Sequence, residues 1–358
     1  MSQPVGRIAP RSKKAWILSI DGGGIRGLIP SIILQKLEEV INERMDEKRK
    51  GGKYLQIADI FDMVAGTSTG SIIALGLTVS GDADNLKPKY PASELVNLYE
   101  NYNDQIFNHI CPLLRWFYPK YKPDKFEGLL KKKFSRKNKE VCTLNDIVND
   151  VKVLVPSYNI STNEEVFFNN YPEFQGPNDY TSFSIPDVIR ASTAAPTYFP
   201  AKEISNCYYI DGGVYMNNPS YFAYHEAKRI FQAEEYVICS LGTGYYQGEL
   251  SQLKDGGPLS WLIPIVSLTM NSSSKLAENY FKNDDPDPGS NKLKVDFKYF
   301  PIRPTLKRNT PLDDNSKESI DSLKCIAEEY IKKEDFNNLV NKILNCWEPK
   351  QYEQRKIS

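Results

Sequence analysis

The feature that most constrains the fold is a unit of strand, glycine turn and helix that occurs twice near the start of the chain. Residues 16–20 are a short apolar run, typical of a buried strand, and a glycine-rich turn follows at 21–27. Apolar residues then recur every few positions until a glycine pair at 51–52, which predicts a long helix. The same order returns over residues 61–79. Strands that alternate with helices predict an α/β fold with a mostly parallel central sheet.

The rest of the chain divides by its pattern into an insertion and an extension of one domain. We expect a core over residues 15–245, with a proline- and aromatic-rich helical insertion or cap at about 100–150. Residues 246–348 are predicted to form a mainly helical extension of the same domain. The polar residues 1–14 are expected to be a mobile leader, and residues 349–358 a tail. Because no internal repeat or clean linker separates these parts, we predict one elaborated domain.

Composition and charge exclude several classes of protein. The 45 basic residues balance the 45 acidic ones, so the whole chain has no net attraction to nucleic acid or to an anionic surface. No apolar run approaches the roughly 20 residues that a transmembrane helix needs. The six cysteines show no paired metal or redox spacing. We therefore expect a soluble cytoplasmic protein with peripheral membrane association, and no address signal distinguishes action in its own cell from export into another.

The pentapeptide Gly66-Thr67-Ser68-Thr69-Gly70 matches G-x-S-x-G and lies between a predicted strand and a predicted helix. In that context a sharp turn exposes the serine hydroxyl, and glycines on both sides avoid the clash that a Cβ would cause. Ser68 would also lie at a helix N-terminus, where backbone N–H groups favour developing negative charge. We interpret Ser68 as a nucleophile. The structural alternative is a turn of small residues that only packs tightly.

A serine hydroxyl needs a neighbouring base before it becomes a nucleophile. The chain has two histidines, and neither follows a predicted strand: His109 lies in the aromatic insertion and His225 within a helical pattern. Asp211 fits the role better, because it ends a predicted strand and Gly212 and Gly213 allow the chain to turn beside a substrate. An aspartate acts directly as a general base when its geometry and pKa suit. By itself, Asp211 followed by glycine would be an ordinary Asp-Gly turn. The catalytic interpretation of Asp211 therefore depends on its combination with Ser68.

The glycine turn at residues 21–27 is the third chemical element. Gly22, Gly23 and Gly24 open a helix and can direct several backbone N–H groups at one oxygen, which is how a tetrahedral oxyanion is stabilised. Gly22, Gly24 and Gly27 also match G-x-G-x-x-G, the dinucleotide fingerprint. That fingerprint requires a second strand with an acidic residue about 20 positions further on, where this sequence still has helical periodicity. A nucleotide-binding oxidoreductase stays open as an alternative function.

Three motifs in a fixed order resemble the signature of the patatin-like phospholipase family. They are DGGGIRG at 21–27, GTSTG at 66–70 and DGG at 211–213. The segments 191–200 and 211–219 also resemble the family's flanking sequences. The likeness covers roughly residues 15–245 and weakens toward about 345.

The resemblance implies roles for the residues of these motifs. Ser68 would be the nucleophile and Asp211 its partner, with the glycines at 22–24 as the oxyanion loop. Arg26 would bind an anionic group or order that loop. The resemblance also implies a three-layer α/β/α fold with a helical insertion and a helical C-terminal portion. The implied reaction is hydrolysis of acyl esters in phospholipids, lysophospholipids or galactolipids without a metal or other cofactor.

Two segments have the composition of a lipid-contacting surface. Large aromatic residues precede a basic stretch, residues 120–139, in which nine Lys and Arg face two Asp and Glu. The second segment is the apolar run 261–270. A solvated basic face and a core helix are the respective alternatives. The candidate membrane contacts are Trp116, Phe117, Tyr118, Lys131, Lys132 and Lys133.

Together these patterns predict a serine carboxylic-ester hydrolase, a lipid acyl hydrolase of the phospholipase A or lysophospholipase type. Its partner would be a phospholipid or another acyl lipid at a membrane surface, and we expect no cofactor and no nucleic acid. No metal site is expected either, because Asp284, Asp285 and Asp287 lack the spacing of a calcium loop. A catalytically silent lipid-binding or storage protein of the same fold is the further alternative. The sequence indicates neither the head group nor the acyl position.

Overall fold

The computed structural model describes residues 13–49, 54–82, 84–107, 119–174, 179–246, 251, 254–283 and 296–346. The strands are β1 (Lys14–Ile20), β2 (Met63–Gly66), β3 (Lys152–Asn159), β4 (Glu164–Asn169), β5 (Lys202–Ile204), β6 (Cys207–Asp211), β7 (Glu235–Leu241) and β8 (Phe297–Ile302). The helices are α1 (Leu28–Arg49), α2 (Ile57–Ile60), α3 (Thr69–Thr78), α4 (Ala92–Asn101), α5 (Asn103–Ile106), α6 (Asp124–Lys133), α7 (Ile185–Ser192), α8 (Ser220–Ile230), α9 (Pro258–Asn283), α10 (Lys317–Ile331) and α11 (Glu334–Cys346). Most of the expected leader and all of the expected tail lie outside the described residues.

The strands form one mixed sheet in the order β5-β6-β3-β2-β1-β7-β8, and β4 pairs with β3. Neighbours from β3 to β8 in this order pair in parallel. The remaining pairs, β3 with β4, β3 with β6 and β5 with β6, are antiparallel. The sheet therefore has the parallel core that the two strand and helix units predict, joined at β3 to an antiparallel portion.

Helices cover both faces of the sheet because successive strand residues point in opposite directions. On β1, Leu18 and Ile20 belong to one apolar core, which includes side chains of α1, α3 and α10. Ala15 and Ile17 belong to a second core, on the side of α8. Burial on both faces explains the uninterrupted apolar run of β1, which is typical of parallel sheets. The predicted three-layer α/β/α arrangement is confirmed.

The C-terminal extension shares this sheet. β8 runs parallel to β7, with Tyr236 opposite Phe297 at one end and Leu241 opposite Ile302 at the other. Further along, the carbonyl of Leu312 accepts a 2.7 Å hydrogen bond from the backbone N–H of Ile25. The extension therefore supports the glycine turn that follows β1.

The described part of the predicted insertion packs against the core. It contains α5, α6 and the fully buried ring of Tyr121. That ring lies 5.5 Å from the ring of Phe107 and 5.4 Å from the ring of Phe199, between centroids. The aromatic residues of this segment thus fill space beside α7, while residues 108–118 lie outside the described residues.

The burial of β1 predicts a strong contrast between two leucine truncations. Leu18 is fully buried in the central strand, so Leu18→Ala should lower the free energy of unfolding by about 2–5 kcal/mol. Leu276 on α9 is 73% exposed, and Leu276→Ala should change it by less than about 0.5 kcal/mol. Urea unfolding of the two variants measures both values. Equal losses would contradict the placement of Leu18 in the core.

Candidate active site

Ser68 lies in a sharp turn between β2 and α3. Its φ of 54° and ψ of −122° are rare for a residue with a side chain and represent local backbone strain. The Ser68 N–H donates a 3.0 Å hydrogen bond to Oγ of Ser192, which itself donates to the carbonyl of Pro156 at 2.7 Å. These contacts hold the turn in place from α7 and β3. Strain of this kind is the geometry of a nucleophile elbow.

The two glycines of the pentapeptide are required by close backbone approaches. A Cβ on Gly66 would lie 2.1 Å from the carbonyl oxygen of Gly70, and one on Gly70 would lie 2.3 Å from that of Ile20. Neither gap accommodates a methyl group. The turn therefore packs directly against the end of β1, which brings Ser68 beside the glycine turn.

Asp211 is fully buried at the end of β6. Its Oδ1 accepts a 2.7 Å hydrogen bond from the N–H of Gly213, whereas Oδ2 has no hydrogen-bond partner among the described residues. The backbone turns at once because Gly212 lies against the Pro156 carbonyl and Gly213 against Met270, where added Cβ atoms would lie 2.4 Å and 2.6 Å away. Asp211 thus presents one unbonded carboxylate oxygen at a tight turn.

Ser68 and Asp211 face each other. Burial raises the pKa of Asp211 to about 7, and the approach of the Ser68 hydroxyl and the Gly213 amide opposes this rise. The two groups nevertheless do not form a hydrogen bond of normal geometry, since Oδ2 remains without a partner. The structure thus brings together the hydroxyl and the carboxylate on which the sequence interpretation depended.

Strand β3 explains why these two residues meet. Ala65 of β2 is opposite Leu154 of β3, and Asp211 of β6 is opposite Ser157. Because β6 runs antiparallel to β3, it ends near the same point of β3 where the parallel strand β2 ends. The carboxyl end of each strand therefore supplies one member of the pair.

The glycine turn lies next to Ser68. A Cβ on Gly22 would be 3.2 Å from the Ser68 Cβ. The N–H of Gly22 donates to the Asn217 carbonyl at 3.0 Å, so it is not available to an oxyanion. No acceptor for the amides of Gly23 and Gly24 is present among the described residues. Those two amides are therefore the donors that remain from the three glycines in the sequence interpretation.

At Gly24, both the backbone conformation and the available space require glycine. Its φ is +58°, and a Cβ there would lie 2.0 Å from the carbonyl oxygen of Leu312. Arg26 closes the turn from the other side, with Nε donating to the Gly23 carbonyl at 3.3 Å. Burial lowers the pKa of Arg26 to about 10. The Arg26 side chain thus contacts the backbone of the glycine turn, as a loop-ordering residue would.

An apolar cavity of about 40 Å³ lies beside Ser68. Its walls come from α3, α4, α9, the segment after α7 and the insertion. The lining residues are Gly24, Ser68, Thr69, Ile72, Tyr99, Ile106, Phe107, Phe126, Thr193, Ala195, Tyr198, Phe199, Met270 and Leu312. Thr69 and Tyr99 are joined by a short hydroxyl contact, so their polar atoms are satisfied within the wall. The cavity can surround a short stretch of hydrocarbon.

Several residues of the site were not identified from the sequence. Thr243 Oγ1 donates to the Gly22 carbonyl at 2.7 Å, and Asn217 Nδ2 donates to the same oxygen at 3.3 Å. Ser192 and Leu312 anchor the serine turn and the glycine turn. Thr243 follows a buried strand and a glycine, a signal similar to that of Asp211. The other three residues carry no such local signal.

His225 lies among aromatic side chains of α8 and α9. The ring of His225 lies 4.5 Å from that of Tyr221 and 5.8 Å from that of Tyr280, between centroids. Burial lowers the pKa of His225. Within the described residues no hydrogen bond joins it to the serine or the aspartate. His109 lies outside those residues.

The candidate membrane contacts are only partly described. Lys131 and Lys132 are exposed at the end of α6. Lys133 instead contacts the protein, with Nζ 3.7 Å from Oε2 of Glu94 and 4.7 Å from the ring centre of Tyr102. Trp116, Phe117 and Tyr118 lie outside the described residues. None of the helices that the structure describes has the length and apolar character needed to cross a bilayer.

Asp284, Asp285 and Asp287, whose spacing does not match a calcium-binding loop, lie outside the described residues. In the described ranges, no group of three or more His, Cys, Asp or Glu side chains is arranged to hold a metal ion.

The high pKa of Asp211 predicts how stability depends on pH. An acid whose pKa is higher in the folded than in the unfolded chain holds its proton more tightly when folded, so its ionisation destabilises the fold as pH rises from about 4 to 7. Asp211→Asn removes this penalty and should be more stable than the wild type by about 2–4 kcal/mol at pH 8. The difference should shrink toward pH 4. Unfolding measured across this range checks it, and the exposed Asp179→Asn serves as the control without such a trend.

Comparisons with known proteins bear on the whole arrangement. A model of the family described as patatin-like phospholipase matches residues 18–224. Calcium-independent phospholipase A2-gamma of Oryctolagus cuniculus is 28% identical over 95% of this chain and 41% of its own length. Patatin-like protein 2 of Oryza sativa subsp. indica is 27% identical over 90% of this chain and 84% of its own length. Patatin group M-2 of Solanum tuberosum is 26% identical over 91% of this chain and 86% of its own length.

The comparisons differ in how much of each protein they cover. The chain spans about 41% of the length of the first of these relatives, and most of the length of the two plant proteins. The family match begins within β1, contains both strand and helix units, and ends within α8 beyond Asp211. Since it covers more than half of the chain, the protein belongs to the patatin-like phospholipase family.

Proposed function

We propose that this protein is a lipid acyl hydrolase that cleaves fatty-acyl esters of membrane lipids, with Ser68 as the nucleophile and Asp211 as the general base. One observation carries the proposal: a serine in a strained elbow faces a buried carboxylate that has one oxygen without a hydrogen-bond partner. The three similar proteins are by name a phospholipase A2, a patatin-like protein and a patatin. Membership of the family supports lipid hydrolysis in general, and the geometry supports the specific residues.

The reaction begins with proton transfer. Oδ2 of Asp211 accepts the hydroxyl proton of Ser68 while Oγ forms a bond to the ester carbonyl carbon. The carbonyl electron pair moves onto oxygen, and the resulting oxyanion accepts hydrogen bonds from the amides of Gly23 and Gly24. Such donors typically contribute a factor of about 10²–10³ each to the rate. Strain at Ser68 is useful here because it keeps Oγ exposed to the substrate and free of competing contacts.

The intermediate then collapses. The bond between the carbonyl carbon and the alcohol oxygen breaks, and Asp211 returns the proton to the departing alcohol. Water next attacks the acyl-enzyme, giving its proton to Asp211, and the fatty acid leaves as Ser68 recovers its proton. A carboxyl group with a pKa near 7 suits both directions of proton transfer at neutral pH. The apolar cavity beside Ser68 would hold the first carbons of the acyl chain.

Contact with a lipid surface would involve α9, which passes the site. Met270 of α9 lines the apolar cavity, and Ile265 on the same helix is 54% exposed. An exposed isoleucine on a helix beside a lipid site suits a peripheral membrane contact. The basic side chains of Lys131 and Lys132 would add attraction to anionic lipids. The aromatic residues at 116–118 stay a prediction from the sequence.

The nucleophile assignment predicts a selective loss of labelling. A fluorophosphonate probe should label the wild type at Ser68, and Ser68→Ala should lose both the label and at least about 10³-fold of its ester hydrolysis. Ser71→Ala is the matched control, since its hydroxyl is buried in the next turn and bonds the Ser68 carbonyl at 2.6 Å. Its labelled site should stay Ser68. Lipid binding without any labelling would instead indicate a silent lipid-binding protein.

The base assignment predicts a pH profile. Hydrolysis requires ionised Asp211, so kcat/KM should rise tenfold per pH unit on the acidic side and level off above about 7. Two other ionisable groups must be distinguished from Asp211. Burial also raises the pKa of Asp21 to about 7, and burial lowers the pKa of the His225 imidazole. Asp21→Asn and His225→Gln should each keep the inflection. Loss of the inflection in His225→Gln alone would reject Asp211 as the base.

A further inference from the structure

Asp21, the first residue of the glycine turn, is a buried acid that has no part in the proposed proton transfers. It is only 3% exposed. Oδ2 accepts a 3.3 Å hydrogen bond from the hydroxyl of Ser274 on α9, whereas Oδ1 has no hydrogen-bond partner among the described residues. A carboxylate that is buried with so few hydrogen bonds is stable as an anion only beside a positive charge. Asp21 therefore depends on a nearby cation.

Arg303 supplies this charge from the C-terminal extension. It follows β8 directly, and its Nη2 lies 3.8 Å from Oδ1 of Asp21. In the part of the chain that the structure describes, no other cation lies within ion-pair distance of Asp21. Burial raises the pKa of Asp21 to about 7, and the charge of Arg303 opposes this rise. The acid belongs to the first motif of the family match, whereas its counter-ion comes from outside the matched residues 18–224.

The position of Arg303 is fixed by the structure around it. Its three guanidinium nitrogens donate to five acceptors, and none of these is Asp21. The acceptors are Oε1 of Glu278 at 2.6 Å, the carbonyls of Ser240 and Ile302 at 2.9 and 3.2 Å, and the hydroxyls of Ser240 and Tyr299 at 2.7 and 3.2 Å. These acceptors belong to α9, β7 and β8, so they hold the planar guanidinium from several directions. Arg303 therefore acts on Asp21 through its charge and not through a hydrogen bond.

Asp21 in turn ends a chain of hydrogen bonds that reaches the glycine turn. Because Ser274 donates its hydroxyl proton to Asp21, its oxygen is left to accept a 3.1 Å hydrogen bond from Nδ2 of Asn217. The same Nδ2 donates to the Gly22 carbonyl at 3.3 Å. The direction of these bonds follows from an acceptor at the end of the chain. A protonated or displaced Asp21 would no longer fix the amide that holds the turn.

Other charged side chains share a polar cavity with Asp21 but do not replace Arg303. The cavity has a volume of about 430 Å³, and both residues line it. Its other charged lining residues are Arg26, Lys275, Glu278 and Lys282. Glu278 raises the pKa of Asp21 further, and Lys282 Nζ lies 3.6 Å from Oε2 of Glu278. Among the described cations of this wall, Arg303 is the one that lowers the pKa of Asp21.

We propose that Arg303 is a positioning residue for the two oxyanion amides of the glycine turn, because its charge holds Asp21 as the acceptor that ends this chain. The inference rests on the proposed function, in which the amides of Gly23 and Gly24 bind the oxyanion. These amides meet a charged oxygen only in the transition state, so their misalignment affects kcat more than KM. Loss of Arg303 would leave an uncompensated buried carboxylate, which takes up a proton or moves toward water. In either case the glycine turn loses its fixed orientation.

The test asks whether removal of the Asp21 carboxylate repairs the loss of Arg303. Hydrolysis of p-nitrophenyl butyrate, a soluble ester, is measured at pH 8, and a fluorophosphonate that reacts with Ser68 counts the active sites. Arg303→Met should lower kcat per labelled site about tenfold, with less than about a twofold change in KM. Asp21→Asn added to this variant should restore kcat to within about threefold of the wild type, since an amide oxygen accepts from Ser274 without a counter-ion. Glu278→Gln, which removes the other carboxylate beside Arg303, should restore nothing.

A second pair of variants keeps the charges and interrupts the chain. Ser274→Ala should lower kcat by a similar factor, whether or not Arg303→Met folds, whereas Ser272→Ala, at an exposed position of the same helix, should keep kcat within about twofold. An unchanged kcat in Ser274→Ala overturns the inference. Equal recovery by Asp21→Asn and Glu278→Gln, or recovery by neither, also overturns it, because Arg303 would then only support the packing of α9.

Failure of the proposed function gives a different result. A wild type in which Ser68 does not react with the fluorophosphonate would reject Ser68 as the nucleophile, whatever the Arg303 variants show. Labelled Ser68 with full kcat in Arg303→Met would reject the positioning role alone.

Discussion

The pairing of β3 with two strands of opposite direction is the contact on which the site depends. β2 runs parallel to the first residues of β3 and β6 runs antiparallel to the last, so their carboxyl ends meet within a few residues of each other along β3. One end supplies Ser68 and the other Asp211. A purely parallel sheet would also bring strand ends to one edge. Here the antiparallel strand β6 instead ends beside the point on β3 where β2 ends, which brings the carboxylate to the serine turn.

Burial then sets the chemistry of the carboxylate. Desolvation is the main cause of the high pKa of Asp211, and among the described residues no cation contributes to this shift. A carboxylate in water would be ionised at neutral pH but a weak acceptor of the serine proton. In the proposed mechanism this burial makes Asp211 a better base, and the same burial destabilises the folded chain when the group ionises. Desolvation of Asp211 would therefore increase its basicity and at the same time lower the stability of the fold, a trade-off that is common in active sites.

The glycine turn is held from three directions. Asn217 binds the N–H and the carbonyl of Gly22, Thr243 binds the same carbonyl, and the Leu312 carbonyl accepts from Ile25. These contacts come from the segment after β6, the loop after β7 and the C-terminal extension. The amides of Gly23 and Gly24 are thus oriented before a substrate arrives, which is the condition for stabilising charge without reorganisation. The extension, which lies outside the family match, is part of this support.

The sequence by itself determined the α/β class, the strained serine turn and the aspartate at a strand end, because apolar periodicity and glycine spacing are local properties. It did not distinguish which of the three glycine amides stay available, since Gly22 is occupied by Asn217, a residue far along the chain. Lys133 seemed part of an exposed basic stretch until the fold placed Glu94 beside it. Only the tertiary structure decided that Arg26 and Lys275 share a cavity, because ion pairing and desolvation depend on which side chains from distant segments become neighbours.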